Sequence, residues 1–475
     1  MTTSLHTVDA AAPAGTVTLV AYLPSALDVG RLARLAAPVA MVQIGLMSMG
    51  VVDTVMVGRV SPTDLAAVAL GHLYFFFVAI FGMGVLFMLD PVVSQAHGAD
   101  DPEAVARSMQ RGLILAAGLT AAAMASLVPA GPVLTLARQP AEVVPTAAAY
   151  TLGLIPGVFP FYGFIVLRQT LQAMGNVRPI LVTVIAANLV NVLLDWMLIF
   201  GHLGLEARGA VGSAWATSLS RWFMMLALVT VAWPLLRPTL VPLRRAALAP
   251  APLARMLRVG VPIGVQTWLE FGVFATAGLL MGLMGAIAVA SHQVALQFAS
   301  LTFMVPLGIA QATSVLVGQA VGRADPHAAR RAAGAGLLTG AAFMALAAVP
   351  LLTMPEALAR MFSDDTEVVA AAALLMPIAG VFQVFDGLQV VAAGALRGIG
   401  DTRVPMIMAL VGFWLVGLPT CIGLGFALDA GPRGIWWGLA TGLGAVAVLL
   451  LARIRRRFGR ALRRLVVEDE PGEAR

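Results

Sequence analysis

Glu270 is the residue that most needs a reason. It stands near the middle of an apolar run from Val259 to Met281 that is long enough to cross a bilayer. In a helix it lies roughly 18 Å from Arg258 and roughly 22 Å from Gly285, so neither water layer is within reach of its side chain. A carboxylate at that depth costs about 2.5–3.5 kcal/mol on insertion scales and is kept where it faces a bundle interior or a watery cavity, usually to handle an ion or a cation. The plainer reading is a polar side chain satisfied by a neighbouring helix.

Other polar groups fall at similar depth. Asp53 sits about six residues, or 9 Å, inside Arg59; Asn191 and Asp195 are four apart and share a helix face; Thr217 lies roughly 12 Å below Gly209. Two carboxylates, an amide and a hydroxyl on three helices suit a proton relay or a small hard cation, and interhelical hydrogen bonding is the structural alternative. Further along, Gln266 and Glu270 share one face, Gln383, Asp386 and Gln389 follow at intervals of three, and Gln293 and Gln297 can join them. A bare charge there is expensive, so a proton, a metal cation and a cationic solute would compete for the same carboxylates, which is an antiport mechanism in outline. Arg221, also mid-span, reads either as a counter-ion to an acid or as a snorkelling or structurally paired residue. Phe161, Phe164, Met281, Met284 and Phe298 could line a pocket for flat lipophilic cations, although any apolar bundle contains such residues.

The elements that must hold these groups follow from composition. Of 475 residues, 60% are hydrophobic and 11% charged, and the mean hydropathy is +0.91; no soluble domain has this profile. Recurrent apolar runs make the chain an all-α polytopic membrane protein, because helices satisfy their own backbone in lipid. Twelve spans are expected, at about 33–58, 65–90, 108–130, 143–165, 178–200, 209–236, 256–284, 290–316, 331–353, 367–395, 403–428 and 433–453. Every basic residue is Arg, which excludes a Walker-type phosphate loop and a Schiff-base lysine. A single Cys421 excludes an intrachain disulfide, and the six His have no metal-ligand spacing.

Arginine also sets the topology. With both termini cytoplasmic, the inside carries Arg31, Arg34, Arg107, Arg111, Arg168, Arg178, Arg237, Arg244, Arg245, Arg255, Arg258, Arg323, Arg330, Arg331, Arg397, Arg403 and the tail from Arg453 to Arg464, while the outside keeps only Arg59, Arg138, Arg208, Arg360 and Arg433. Sliding the chain over itself by 224 or 225 residues then reveals a repeat. Gln95-Ala96, Gly98 and Asp101-Pro102 fall on Gln319-Ala320, Gly322 and Asp325-Pro326, and Gly175 and Arg178 fall on Gly400 and Arg403. Each copy holds six spans in the same orientation, an alternating-access layout. The expected organisation is a disordered cytoplasmic lead-in (1–30), a first lobe (31–236), a basic cytoplasmic linker (237–255), a second lobe (256–453) and a basic tail (454–475). The acids break the symmetry that the loops keep: Asp53 falls on Ala277, and Glu270 falls on Leu46.

Several stretches resemble the multidrug and toxic compound extrusion (MATE) family in a NorM-like pattern. They are Gly50-Val-Val-Asp-Thr-Val-Met-Val-Gly58, Pro262-Ile-Gly-Val-Gln266 through Glu270, Ala290-Ser-His-Gln-Val-Ala-Leu-Gln-Phe298, Pro306-Leu-Gly-Ile-Ala-Gln-Ala312 and Ala395-Leu-Arg-Gly-Ile-Gly-Asp-Thr-Arg403. The resemblance implies twelve helices in two six-helix lobes forming a V around a cleft, and export of organic cations in exchange for Na⁺ or H⁺. It matches Asp53 to the family's first-span acid, and Glu270 and Asp386 to the carboxylates of a second-lobe cation site, beside which Gln266 and Gln293 are candidates from their own spacing. Asn191, Asp195 and Thr217 look more like the first-lobe site of a DinF-like branch, and Phe382 stands where an aromatic hydroxyl is often found. The implied partners are small-molecule organic cations and the lipid bilayer of the inner membrane, for a monomer with no nucleic acid, no cofactor, and no metal beyond a coupling Na⁺ at these acids. A flippase for a lipid-linked or amphiphilic substrate is the rival within the superfamily, disfavoured because the intramembrane charges are mostly acidic. An enzyme is not expected, since no nucleophile stands beside a base.

Overall fold

A computed structural model describes residues 19–467. Among them, twelve helices are long and apolar enough to cross a membrane: α1 (Ala26–Val57), α2 (Pro62–Gly98), α3 (Pro102–Leu127), α4 (Val144–Ala173), α5 (Arg178–Phe200), α6 (Gly209–Val231), α7 (Pro250–Leu283), α8 (Ala286–Gly322), α9 (Pro326–Thr353), α10 (Thr366–Gly398), α11 (Arg403–Ala427) and α12 (Gly431–Phe458). The repeated loops are helix-start devices. Asp101 and Asp325 cap α3 and α9 by accepting from Ala104 N and Ala328 N, each at 2.9 Å, with a proline in the first turn. Gly175 and Gly400 take φ of 82° and 78°, a left-handed turn that favours glycine, before α5 and α11.

Several helices run past their apolar windows at the end that carries the termini. α2 continues to Gly98, α8 to Gly322, and α7 starts at Pro250. The α2 and α8 extensions are largely buried in protein, whereas the α7 extension carries Arg255 and Arg258 at part-exposed and exposed positions. α2 is interrupted at residues 87–88, one turn ahead of Pro91, whose ring clashes with the carbonyl four residues back. α4 likewise tightens to a 3₁₀ turn at Ile155–Gly157, and α11 contains π-helical turns at Leu410–Gly417 and Gly423–Ala427.

The halves α1–α6 and α7–α12 meet along a two-fold seam: α1 packs on α8, and its repeat equivalent α7 packs on α2. Small residues permit this approach. A Cβ on Gly84 would stand 2.7 Å from Gly264 Cα, and one on Gly308, one repeat later, would stand 2.7 Å from Ala40 N. The hydrogen bonds that Gln95, Gln172, Gln319, Arg464 and Leu465 make between the halves lie toward the terminal end.

Part of the lead-in is structured where disorder is expected, and the linker and tail, expected only as basic segments, pack on the first half. Of the lead-in, residues 1–18 lie outside the described residues, but Leu19–Tyr22 form a 3₁₀ turn and α1 already begins at Ala26, under a capping box in which Ser25 N donates to Asp28 Oδ2 (3.0 Å). Most of the linker is folded: residues Trp233–Leu240 are helical, and the Gln110 amide on α3 donates to Thr239 O and Pro242 O (both 3.0 Å) while accepting from Arg244 N (2.9 Å). The tail crosses to the first half, where Arg464 pairs with Asp101 (3.0 Å) and Leu465 N donates to Gln95 Oε1 (2.7 Å); residues 468–475 lie outside the described residues.

Candidate functional site

The first half assembles Asp53, Asn191, Asp195 and Thr217 into one buried cluster. Gly45 lets α1 approach α5, with Asn188 Nδ2 donating to Gly45 O across the contact at 3.0 Å. Two turns further along α1, Asp53 meets the Asn191 and Asp195 face of α5. The Thr217 hydroxyl has one proton to share between Asp53 Oδ2 (3.0 Å) and Ser213 O (2.9 Å). Asp195 and Asn191 stand beside Asp53, yet Asp53 Oδ1, both Asp195 oxygens and both amide atoms of Asn191 have no well-formed hydrogen bond. Buried polar atoms in such number are rarely left unpaired. Two bare carboxylates side by side repel, so one proton or one monovalent cation shared among these oxygens is the arrangement the cluster accommodates. Among the described residues, no three His, Cys, Asp or Glu side chains form a metal-holding group.

Arg221 lies one turn beyond Thr217 on α6 and is buried, which excludes snorkelling. Its guanidinium carbon lies 4.4 Å from the Phe75 ring centroid and 5.0 Å from that of Phe161. It makes no ion pair shorter than 4 Å with Asp53, although its charge acts there, and Nη1 has no partner. Phe161 therefore holds the protein's own cation.

The second cluster lies near mid-span. Gln389 Nε2 on α10 donates to Glu270 Oε1 on α7 at 2.8 Å, and Asp386, one turn before Gln389, stands beside both. Asp386 Oδ1 and Gln389 Oε1 are buried without partners, while Glu270 is part-exposed. The π-helical turn of α11 brings the Trp414 indole to Leu269 O (3.1 Å), pinning the α7 backbone beside Glu270. Gln266 is buried on the same face. Gln383 bridges helices instead, accepting from Thr302 Oγ1 (2.9 Å) and donating to Met344 O (3.4 Å).

Other candidates are not brought into this cluster. Gln293 and Gln297 are exposed on α8 and make no hydrogen bond, because the face they occupy points away from the α10 contact that buries Ala295 and Ala299. Phe164 and Met281 are core. Phe382 fills its place by edge contacts with Phe274 (5.9 Å) and Trp436 (5.4 Å).

A third charged group was not singled out from the sequence. Asp90 on α2 is fully buried; its Oδ1 accepts from Gln169 Nε2 (2.7 Å), and its Oδ2 lies 3.7 Å from Arg397 Nη1 on α10. Asp90-Pro91 reads as a helix end in sequence, and Arg168 and Arg397 read as loop charges. The repeat held the missing signal, since the seam follows it: Gln95 Nε2 donates to Gly398 O (2.8 Å), and one repeat later Gln319 Nε2 donates to Ala173 O (2.9 Å).

Comparison with known proteins shows the family and the fold. The MatE family model matches twice, at residues 38–197 and 262–422, one repeat apart. The chain is 38% identical to the multidrug resistance protein NorM of Burkholderia vietnamiensis over 89% of this chain and 92% of that one. It is 37% identical to the multidrug resistance protein PmpM of Pseudomonas aeruginosa over 93% and 95%. In fold it is similar to the crystal structure of the eukaryotic MATE transporter AtDTX14, with a TM-score of 0.85 at 22% identity over 92% of this chain and 98% of that one.

Proposed function

Since the chain belongs to the MatE family, we propose that it is a cation-coupled antiporter that exports organic cations and related drugs by alternating access. Its place is then the inner membrane, with both termini in the cytoplasm and the arginine-rich end inside. The observation that carries the reading is the pair of buried carboxylate clusters, one in each half, with unsatisfied oxygens and different chemistry. In the first half, Asp53, Asn191, Asp195 and Thr217 take the coupling Na⁺ or H⁺. In the second half, Glu270 and Asp386, with Gln266 nearby, take the organic cation.

The seam supplies the rocking element. Its hydrogen bonds gather at the inner end, which supports an outward-open form. Entry of the coupling ion from outside neutralises the first-half acids and favours that form, in which the drug cation leaves; rocking of the halves then resets the cycle. Both clusters are acidic, which suits a cationic cargo better than the pyrophosphate of a lipid-linked substrate.

The test is uptake of a fluorescent cation into inverted vesicles, driven separately by a Na⁺ and by a proton gradient. Asp53→Asn, Glu270→Gln and Asp386→Asn should each lose most of the driven uptake, and the effective gradient identifies the ion. Unchanged uptake in all three variants would overturn the carboxylate mechanism.

A further inference from the structure

Besides the part-exposed pairs Arg331–Asp28 (3.3 Å) and Arg464–Asp101 (3.0 Å) toward the terminal end, the seam between the halves carries one deeply buried ion pair among the described residues, Asp90–Arg397. At the repeat positions of Asp90 and Arg397 the chain has Ser314 and Gln172, and Gln172 donates to Gln311 across the seam at 3.2 Å. On the other side of the pseudo-axis the counterparts of Ser314 and Gln172 form a buried ion pair, and the counterpart of Gln311 is Phe87. At 3.7 Å, Asp90 Oδ2 and Arg397 Nη1 are too far apart for a hydrogen bond, and Asp90 Oδ2 has no other partner. The Arg397 guanidinium also faces the Phe87 ring at 5.4 Å. A charge pair buried between two bodies that must part is a hazard, because each partner left alone keeps the full desolvation penalty.

Each charge, however, also feels an opposite charge inside its own half. Arg397 acts electrostatically on Glu270 as well as on Asp90, and Glu270 and Arg397 both belong to the second half. Asp90 has Arg168 and Gln169 in the first half; Arg168 Nη1 is held by Gln43 Oε1 at 2.6 Å, and its Nε has no partner. The four residues can therefore exchange partners without exposing a bare charge to the apolar interior.

We propose that Asp90 and Arg397 are two-position residues of the transport cycle, joined across the seam when the inner end is shut and re-paired within their halves, Asp90 to Arg168 and Arg397 to Glu270, when it opens. Arg397 thereby links the second-half carboxylate cluster to the gate. The proposal rests on the alternating-access reading.

Pulsed electron–electron distances test both. Spin labels at Glu142→Cys and Asp364→Cys, both in exposed outer loops, in a Cys421→Ser background, report the outer opening in nanodiscs with and without ethidium. The unmodified core should show two distance populations whose ratio ethidium changes. Asp90→Asn should deplete the outward-open population about tenfold or more, as expected when one partner of a desolvated pair is removed. Glu270→Gln should enrich it, because Arg397 loses its alternative. Asp90→Glu and Arg397→Lys, which keep the charges, should stay near the unmodified ratio and show that the fold survives. A single population under every condition sinks alternating access itself. Two populations that Asp90→Asn and Glu270→Gln shift in the same direction, or not at all, sink the partner exchange alone.

Discussion

The two halves share a backbone plan and differ in where their acids lie. In the first half, two carboxylates meet near the ends of α1 and α5 away from the termini, with one hydroxyl donor and a guanidinium held off by aromatic faces. In the second, two carboxylates lie near mid-span, served by the Gln389 amide and reached by the charge of Arg397. The first cluster is closed and rich in unpaired oxygens, whereas the second is deeper and opens at Glu270, and on this contrast rests the proposal that the first takes a small ion and the second a larger cation. Duplication kept the turns that start helices and the glycines that let them touch, and left the intramembrane polar positions free to diverge.

The sharpest way to break this comparison is to silence one half at a time. Asp53→Asn with Asp195→Asn should abolish gradient-driven uptake while leaving equilibrium binding of a fluorescent cation within about threefold. Glu270→Gln with Asp386→Asn should weaken that binding by about tenfold or more, the scale of losing a buried charge partner. Isothermal binding beside vesicle uptake separates the two, and equal losses of binding in both doubles would refute the division of labour.

The seam should respond symmetrically to steric change. Gly84→Leu and Gly308→Leu each drive a side chain into backbone of the opposite half and should each destabilise by about 1–3 kcal/mol, read as a lower thermal midpoint in detergent. Gly118→Ala, whose Cβ has nothing within 4 Å, is the control. The hydrogen bonds should be nearly symmetric. Gln319→Ala should cost about 1 kcal/mol, and Gln95→Ala somewhat more, because Gln95 Oε1 also accepts from Leu465 N.

The smallest effect is a pH dependence outside the membrane. Partial burial pushes the Asp101 carboxyl up, but the Ala104 N–H and the Arg464 and Arg107 charges outweigh it and hold the group below its ordinary value. A lowered folded-state pKa means that its contribution to tail docking is fully present above the ordinary carboxylate range and fades as pH falls through the lowered value. The group is part-exposed, so salt should screen the effect. Protease accessibility of the tail should rise at acid pH in the native protein and be pH-insensitive in Asp101→Asn.

Much of this was legible in the chain because a bilayer leaves few options. An apolar run of bilayer length must be helical, arginine marks one end, and a repeat of 224 or 225 residues announces two like halves. The acids Asp53, Asp195, Glu270 and Asp386 declared themselves because charge at depth is costly. Tertiary structure alone decided which of their neighbours mattered. Gln383 was taken up by Thr302 and Gln293 left exposed, although both had suitable spacing, because helix rotation depends on packing against several partners at once. Asp90 and Arg397 carried no local signal: one precedes a proline, the other borders a loop, and their meaning lies in an opposing helix roughly 300 residues away in sequence. A residue's depth follows from its own segment, but its partner across a seam follows only from how two segments dock.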